Sequence, residues 1–296
     1  MKILRASLGM AAILLGLAPG AIGQNPSSDQ QGLKEIGRTT EREVNVVLSS
    51  GFGTIRISKG ESEKILTLDS RTTKDGTPTA DLQYAIRNRV GYAEISLGEE
   101  PREETDHEKK WVQFGSFKGN AWNLRISDAI PVAFDIELGV GKADIDLTGL
   151  QVKDLTISAG ASDVEVRCDR QNKATIENVT IESGVSKLTG QNLGNVNFKK
   201  FRFEGGVGSY TLDFNGKLQT EVDVDVEIGL GSLTIIVPKD LGAKIMYDKS
   251  WLSHMECDSD FEGGEDDQYV SNNYATAAGR MNIRIQSGLG SVKVRR

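Results

Sequence analysis

The chain is poor in the residues that most often do chemistry. Among its 296 residues are two cysteines, Cys168 and Cys257, and two histidines, His107 and His254, both in stretches that read as loops. No G-x-S-x-G, H-E-x-x-H or C-x-x-C occurs, so the usual signatures of a serine hydrolase, a zinc protease and a dithiol redox centre are missing. A phosphate-cradling G-x-x-x-x-G-K-[ST] is missing too, since Gly141-Lys142 is followed by Ala143. Positive charge is short, with 35 Lys and Arg against 42 Asp and Glu, which removes the basic footprint that nucleic acid requires. Beyond residue 23 no apolar run approaches the roughly 20 residues that cross a bilayer, and no segment repeats at helical spacing. What is abundant is small or β-forming. The 33 glycines make about 11% of the chain, against a usual value of roughly 7%. Val, Ile, Leu and Thr alternate with polar residues almost throughout, the period-two pattern of strands.

Residues 1–23 read as an export leader. Lys2 and Arg5 form a basic start, Ala6 to Ala18 an apolar run, and Ala21-Ile22-Gly23 a small-residue cleavage site before Gln24. With no cysteine after the cut, a lipid anchor is not expected. The chain is therefore expected to be exported, periplasmic or extracellular. Losing two of the 35 basic residues leaves 33 against 42 acidic ones, a net charge of −9 in place of −7. An oxidising compartment lets two cysteines pair, but Cys168 falls in an apolar register and reads as a buried free thiol.

An internal repeat emerges when the chain is aligned on one glycine. Gly139, Gly160, Gly184, Gly206 and Gly229 are spaced by 21, 24, 22 and 23 residues, and Gly51 and Gly288 carry the same signature. Five residues before the anchors stand Val46, Phe134, Leu155, Val179, Phe201, Val224 and Ile283; three before stand Leu48, Ile136, Ile157, Ile181, Phe203, Val226 and Ile285. One after stand Phe52, Val140, Ala161, Val185, Val207, Leu230 and Leu289, also all apolar, and two after only Gly or Ser occurs. Apolar residues resume at four and six after, as in Tyr210 and Leu212. All three apolar columns flanking the anchor are read as facing the core. The parity of the pattern changes across the glycine, so the backbone must slip by one residue there, and a bulge or corner built on Gly or Ser does this. The glycines are thus a structural device: a calcium-binding G-G-x-G-x-D repeat needs Asp where Tyr210 stands. A unit of 21 to 24 residues and two short strands cannot bury its own apolar face, whereas stacked units can. The expected fold is all-β, a β-solenoid or a strongly bent stack of sheets, with a Greek-key sandwich as the alternative.

Residues 24–40 read as a flexible lead-in and 41–121 as a smaller N-terminal β domain, with strands at Val44–Ile57, Lys64–Leu68 and Leu82–Leu97. The charged stretch GEEPREETDHEKK then leads to a C-terminal repeat domain, 122–296, interrupted by an insertion at 238–280. The run AWNLRISDAIPVAFDIELGVGKADIDLTGL, followed by LTISAGASDVEV and closing in NIRIQSGLGSVKV, resembles the bacterial toast-rack proteins and the C-terminal domain of cell-wall-active-antibiotic response proteins. The likeness extends from about Trp122 to Val294, and 40–121 is similar to the accompanying N-terminal domain. It implies a toast-rack stack of strands in an envelope protein, and it supplies no catalytic residues. The response proteins' membrane helices have no counterpart in this sequence.

Four groups of residues bear on function. Asp258, Asp260 and Glu262 in the insertion fill positions 1, 3 and 5 of a calcium-loop pattern with Gly263 at 6, but Tyr269 stands where a bidentate Glu belongs. A solvated loop is preferred to a divalent site. Two residues before successive anchors stand Glu137, Ser158, Glu182, Glu204 and Glu227. If the units stack in register, Glu182, Glu204 and Glu227 form an acidic ladder, an interaction surface for a cationic partner. Asp146 and Arg167 fall at equal offsets and are placed to pair. Asp144, Asp146 and Asp213 are the carboxylates a glycan-cleaving enzyme would use, and Trp111, Trp122 and Trp251 the rings that would stack on sugars, though Trp122 sits in the apolar register. The reading favoured is a non-catalytic envelope protein without a cofactor, presenting an extended β surface to an envelope protein or glycan in a stress-linked or adhesive role. A carbohydrate-active enzyme is the alternative.

Overall fold

The computed structural model describes residues 32–72, 80–98, 120–218, 221–264 and 267–296. The expected leader, the first part of the lead-in, His107, Trp111 and nearly all of the charged stretch before Trp111 lie outside them. Sixteen strands and one short 3-10 turn make up the described chain. The strands are β1 (Leu33–Gly37), β2 (Glu43–Lys59), β3 (Lys64–Thr72), β4 (Ala80–Arg87), β5 (Val90–Leu97), β6 (Asn120–Ile126), β7 (Pro131–Asp146) and β8 (Gln151–Arg167). They continue as β9 (Ile176–Gln191), β10 (Phe198–Asp213), β11 (Glu221–Ile236), β12 (Gly242–Lys249), β13 (Ser253–Cys257), β14 (Phe261–Gly263), β15 (Gln268–Ser271) and β16 (Arg280–Arg295). All belong to one mixed sheet, whose central order is β2-β7-β8-β9-β10-β11-β16. The sheet runs unbroken from residues 43–59 into 131–146, across the boundary expected near residue 122.

Each central rung is one continuous strand of 16 or 17 residues bent at its anchor glycine, in place of two short strands. Neighbours run parallel, and Leu48, Ile136, Ile157, Ile181, Phe203, Val226 and Ile285 follow one another in register. These residues are buried, as are those five before and four and six after each anchor, Gly190 included. The bend folds the two arms of every rung toward a shared core. Phe198, Phe201 and Phe214 pack together in it, Phe214 edge-on to the other two, with ring centroids 5.2 to 6.0 Å apart. Asparagines hold the return loops: the Asn172 amide donates to the carbonyls of Val152 and Val196, and the Asn195 amide to that of Cys168.

The column one residue after the anchor departs from the expected inward orientation. Phe52, Val140, Ala161, Val185, Val207, Leu230 and Leu289 are exposed. The parity slip falls at the anchor itself, which the pairing ladder skips between rungs. Two successive residues therefore face outward round the corner before the alternation resumes.

The rack ends differently from its middle. At one end the two arms of β2 are continued by different strands: β5 pairs with the first arm and β6 with the second. The expected strand Leu82–Leu97 is a hairpin, β4 and β5, turned at Asn88 and Arg89, whose φ values of 51° and 65° suit a tight two-residue turn. The second arm continues through β6 to β3 and β1, and β1 lies within the stretch expected to be flexible. At the other end the insertion does the same for β16, with β12 on its first arm and β13 on its second. The insertion is a cap, closed by β14 and β15.

Candidate functional site

The outer side of the bend is the surface on which the repeat concentrates its chemistry. Every anchor glycine after Gly51 lacks a side chain there because none fits. A Cβ on Gly139, Gly160, Gly184, Gly206, Gly229 or Gly288 would stand 2.2 to 2.9 Å from the carbonyl oxygen of the glycine on the preceding rung. Two residues later Gly53, Gly141, Gly231 and Gly290 have φ between 136° and 144°, a backbone only glycine adopts readily. The glycine column leaves a trough of about 930 Å³ running across six rungs. Its floor is the anchors, and its acidic members are Glu137, Glu182, Glu204 and Glu227.

Register brings the acidic ladder together. Glu182, Glu204 and Glu227 pair directly on β9, β10 and β11, so their backbones are separated by the strand spacing of about 4.8 Å. Ser158 interrupts the column between Glu137 and Glu182. Arg202 on the same arm forms an ion pair with Glu204, whereas Glu182 and Glu227 have no ion-pair partner among the described residues.

The insertion's acids are not assembled in this way. Asp258 is taken up by the C-terminus: Arg295 donates to its Oδ1 at 2.8 Å and the Arg296 backbone amide to its Oδ2 at 2.9 Å. These hydrogen bonds hold its carboxyl below the usual value. Among the described residues no three Asp, Glu, His or Cys side chains are grouped to hold a metal ion, so Asp258, Asp260 and Glu262 are not brought together as a trio. Glu265 and Asp266 lie outside the described residues.

Of the carboxylates a glycosidase would need, Asp144 and Asp146 stand two residues apart on one face of a strand, and Asp213 stands away from both. Asp144 and Asp146 are on β7 and Asp213 is on β10, three rungs away. Three strand spacings make about 14 Å, beyond the roughly 5 to 9.5 Å between paired carboxyls in glycoside hydrolysis. Asp146 forms the expected pair with Arg167, at 2.9 Å. Burial pushes its carboxyl upward, but hydrogen bonds from Thr148 and Arg167 outweigh this and hold it below its ordinary value. An acid catalyst needs the opposite shift. Asp213 accepts a hydrogen bond from the Asn215 backbone amide, closing a loop turn.

Trp122 is fully buried, packed against Gly53 inside the first corner. Trp251 is 91% exposed between β12 and β13. Cys168 and Cys257 are both free thiols, and burial pushes each up to about 11. Among the described residues no helix is long and apolar enough to cross a membrane.

Comparison with known proteins places this architecture. A family model described as "N-terminal domain of toast_rack, DUF2154" matches residues 24–191. Its match starts before the stretch in which the sequence motifs are plainest and ends within it. No curated protein matches the chain. Among solved structures, a protein of Clostridium sporogenes ATCC 15579 described as a candidate cell adhesion protein is 18% identical, with a TM-score of 0.44. The likeness covers 92% of this chain and 99% of that one. A candidate adhesin of Bacteroides fragilis NCTC 9343 is 12% identical over 88% of this chain and 95% of that one, with a TM-score of 0.26.

Proposed function

The chain belongs to the toast-rack family, and on that premise we propose that it is an exported, non-catalytic protein of the cell envelope whose rigid sheet face engages a partner bearing positive charge. The partner is an envelope protein or glycan. The observation that supports this reading best is the in-register column Glu182, Glu204 and Glu227, lining an open trough on an otherwise regular surface. Like charges stacked at about 4.8 Å in water repel by about 1 kcal/mol or less per neighbouring pair. The rack tolerates that cost, and a cationic partner relieves it. The rungs also fix the spacing of the carboxylates before any partner arrives, so little ordering is needed on binding.

Purified protein incubated with isolated envelope material should capture a partner. Replacing Glu182, Glu204 and Glu227 together by Gln should abolish the capture without lowering thermal stability. Recovery of nothing by the parent chain, or equal recovery by the triple variant, would count against the reading. The enzymatic alternative predicts turnover of envelope glycan that disappears in Asp144→Asn or Asp213→Asn; the distance of Asp213 from the other two and the ion pair of Asp146 with Arg167 argue against it.

A further inference from the structure

The outward column one residue beyond the anchors is an apolar spine that the fold does not cover. Phe52, Val140, Ala161, Val185, Val207, Leu230 and Leu289 occupy the same position on seven successive rungs. Val185 is 65% exposed, and exposed Trp251 and Leu252 prolong the line in the loop that carries β12 to β13. Beside this spine runs the glycine trough. Ridge and trough lie next to each other on one surface, along six of the seven rungs.

Charged residues flank the pair on both sides. Beyond the trough stands the glutamate column, with Glu137 on β7 and Glu182 on β9; beyond the spine, on the same two rungs, stand Lys142 and Lys187. All four are exposed, and among the described residues none has an ion-pair partner within the chain. On β7 and β9 the surface across the corner therefore reads glutamate, glycine, apolar, lysine; on β8 between them Ser158 and Asp163 take the outer places, and on β10 and β11 the lysine place is Ser209 and Ser232.

That order is self-complementary under one operation. Rotation by 180° about an axis parallel to the stack, passing between the glycine and apolar columns, lays the spine of one copy over the trough of the other. It sets Val140 against Gly139 of a second copy and Val185 against Gly184. The same rotation brings Glu137 to Lys142 and Glu182 to Lys187, twice each. A two-fold axis perpendicular to the stack would set glutamates against glutamates instead, so charge selects the parallel arrangement. Six strand spacings give about 29 Å of length, and five extended residues would span about 16 Å if flat and less round a corner, so the contact is at most about 900 Å² over both copies. Specific interfaces begin at about 1,000 Å², so the contact is that of a weak, concentration-dependent dimer.

We propose that the bend of the rack is a homodimer interface in which the apolar spine of each copy packs into the glycine trough of a second, parallel copy. The dimer covers the trough that the charged partner uses, so self-association and partner capture compete.

Sedimentation equilibrium of the full chain, purified after export, tests this without any partner. Dimer should accumulate as protein concentration rises, and Val185→Glu, on a side chain already exposed, should weaken association by at least about tenfold while leaving the melting temperature unchanged. Lys187→Glu should weaken it as well, and adding Glu182→Lys should restore it. Val207→Cys should form a disulfide between identical positions under oxidation, since the axis passes beside that column. A chain monomeric at every concentration, a dimer indifferent to Val185→Glu, or a double charge swap that does not rescue would each overturn the proposal. Flotation with lipid vesicles by a chain that stays monomeric would assign the spine to a membrane surface, and would overturn it equally. The partner reading fails separately: a monomeric Val185→Glu chain that captures no envelope material removes that reading and leaves the dimer standing.

Discussion

A Cβ placed on Gly206, in the middle of the rack, would stand 2.6 Å from the carbonyl oxygen of Gly184; one placed on Gly51, on the first bent rung, would meet nothing within 4 Å. The two glycines occupy equivalent positions in the repeat and have unequal reasons to be there. In the interior a preceding rung presses its backbone against the corner. At the start no bent rung precedes, and the two arms are continued by separate strands, β5 and β6. The interior is held by repetition, the ends by local devices. Those devices are Trp122 packed on Gly53 and the buried Glu41 receiving the Tyr84 hydroxyl at 2.6 Å. At the far end Arg296 donates to the carbonyls of Pro238, Lys239 and Leu241.

The contrast is broken most sharply by emptying the core at each place. Phe201→Ala removes the ring at the centre of the aromatic cluster and should cost about 3–5 kcal/mol of global stability. Leu82→Ala, in the terminal hairpin, should instead loosen β4 and β5 and leave the unfolding midpoint of the rest nearly unchanged. Denaturant melts read alongside hydrogen exchange separate the two, and a global effect from Leu82→Ala would refute the division. Next in size is the corner. Gly206→Ala forces backbone apart and should destabilise by about 2–3 kcal/mol, whereas Gly51→Ala should fall within about 0.5 kcal/mol of the parent. Equal effects would mean that the glycines are needed for something other than rung contact.

Tyr84→Phe sharpens the comparison at the N-terminal end. It strips a hydrogen bond from a buried carboxylate and should cost about 2 kcal/mol, visible as faster exchange in β4 and β5. Burial pushes the Glu41 carboxyl upward, but hydrogen bonds from Tyr84 and Thr39 prevail and its value lies below the ordinary 4.5. A carboxyl lowered on folding lends stability that is complete above its unfolded value and is lost as pH falls through the folded one. Acid below pH 4.5 should therefore loosen this end, and less so in Tyr84→Phe. The smallest effect belongs to the far end. Deleting Arg296 should cost about 1 kcal/mol, read as faster exchange in the 238–280 cap with the central rungs unaltered.

How much of this was legible follows from what a periodic sequence can encode. Ile136, Ile157, Ile181, Phe203 and Val226 announce their register because a buried column tolerates only apolar residues, and the glutamate column then follows by counting. Val185 and its neighbours misled because apolar character at a regular position reads as burial, and nothing in the alternation says that a corner turns two successive residues outward. Leu82–Leu97 read as one strand because its turn uses Asn88 and Arg89 without a glycine. The insertion offered acidic residues and no repeat. Its role as a cap depends on pairing with β16, which is distant information that no local pattern carries. No single residue announces the trough; its signal is the repeated glycine column, whose members stand too close for a Cβ from Gly139 onward.

Interior rungs join their neighbours through a common register, while the split strands at either extremity recognise only the rung next to them. A further rung duplicated between Gln191 and Phe198 would meet acceptable neighbours on both flanks and leave the terminal pieces untouched. The molecule is in that sense a ruler, and the reach of its surface can be reset by gene duplication in steps of one strand width without redesigning either tip.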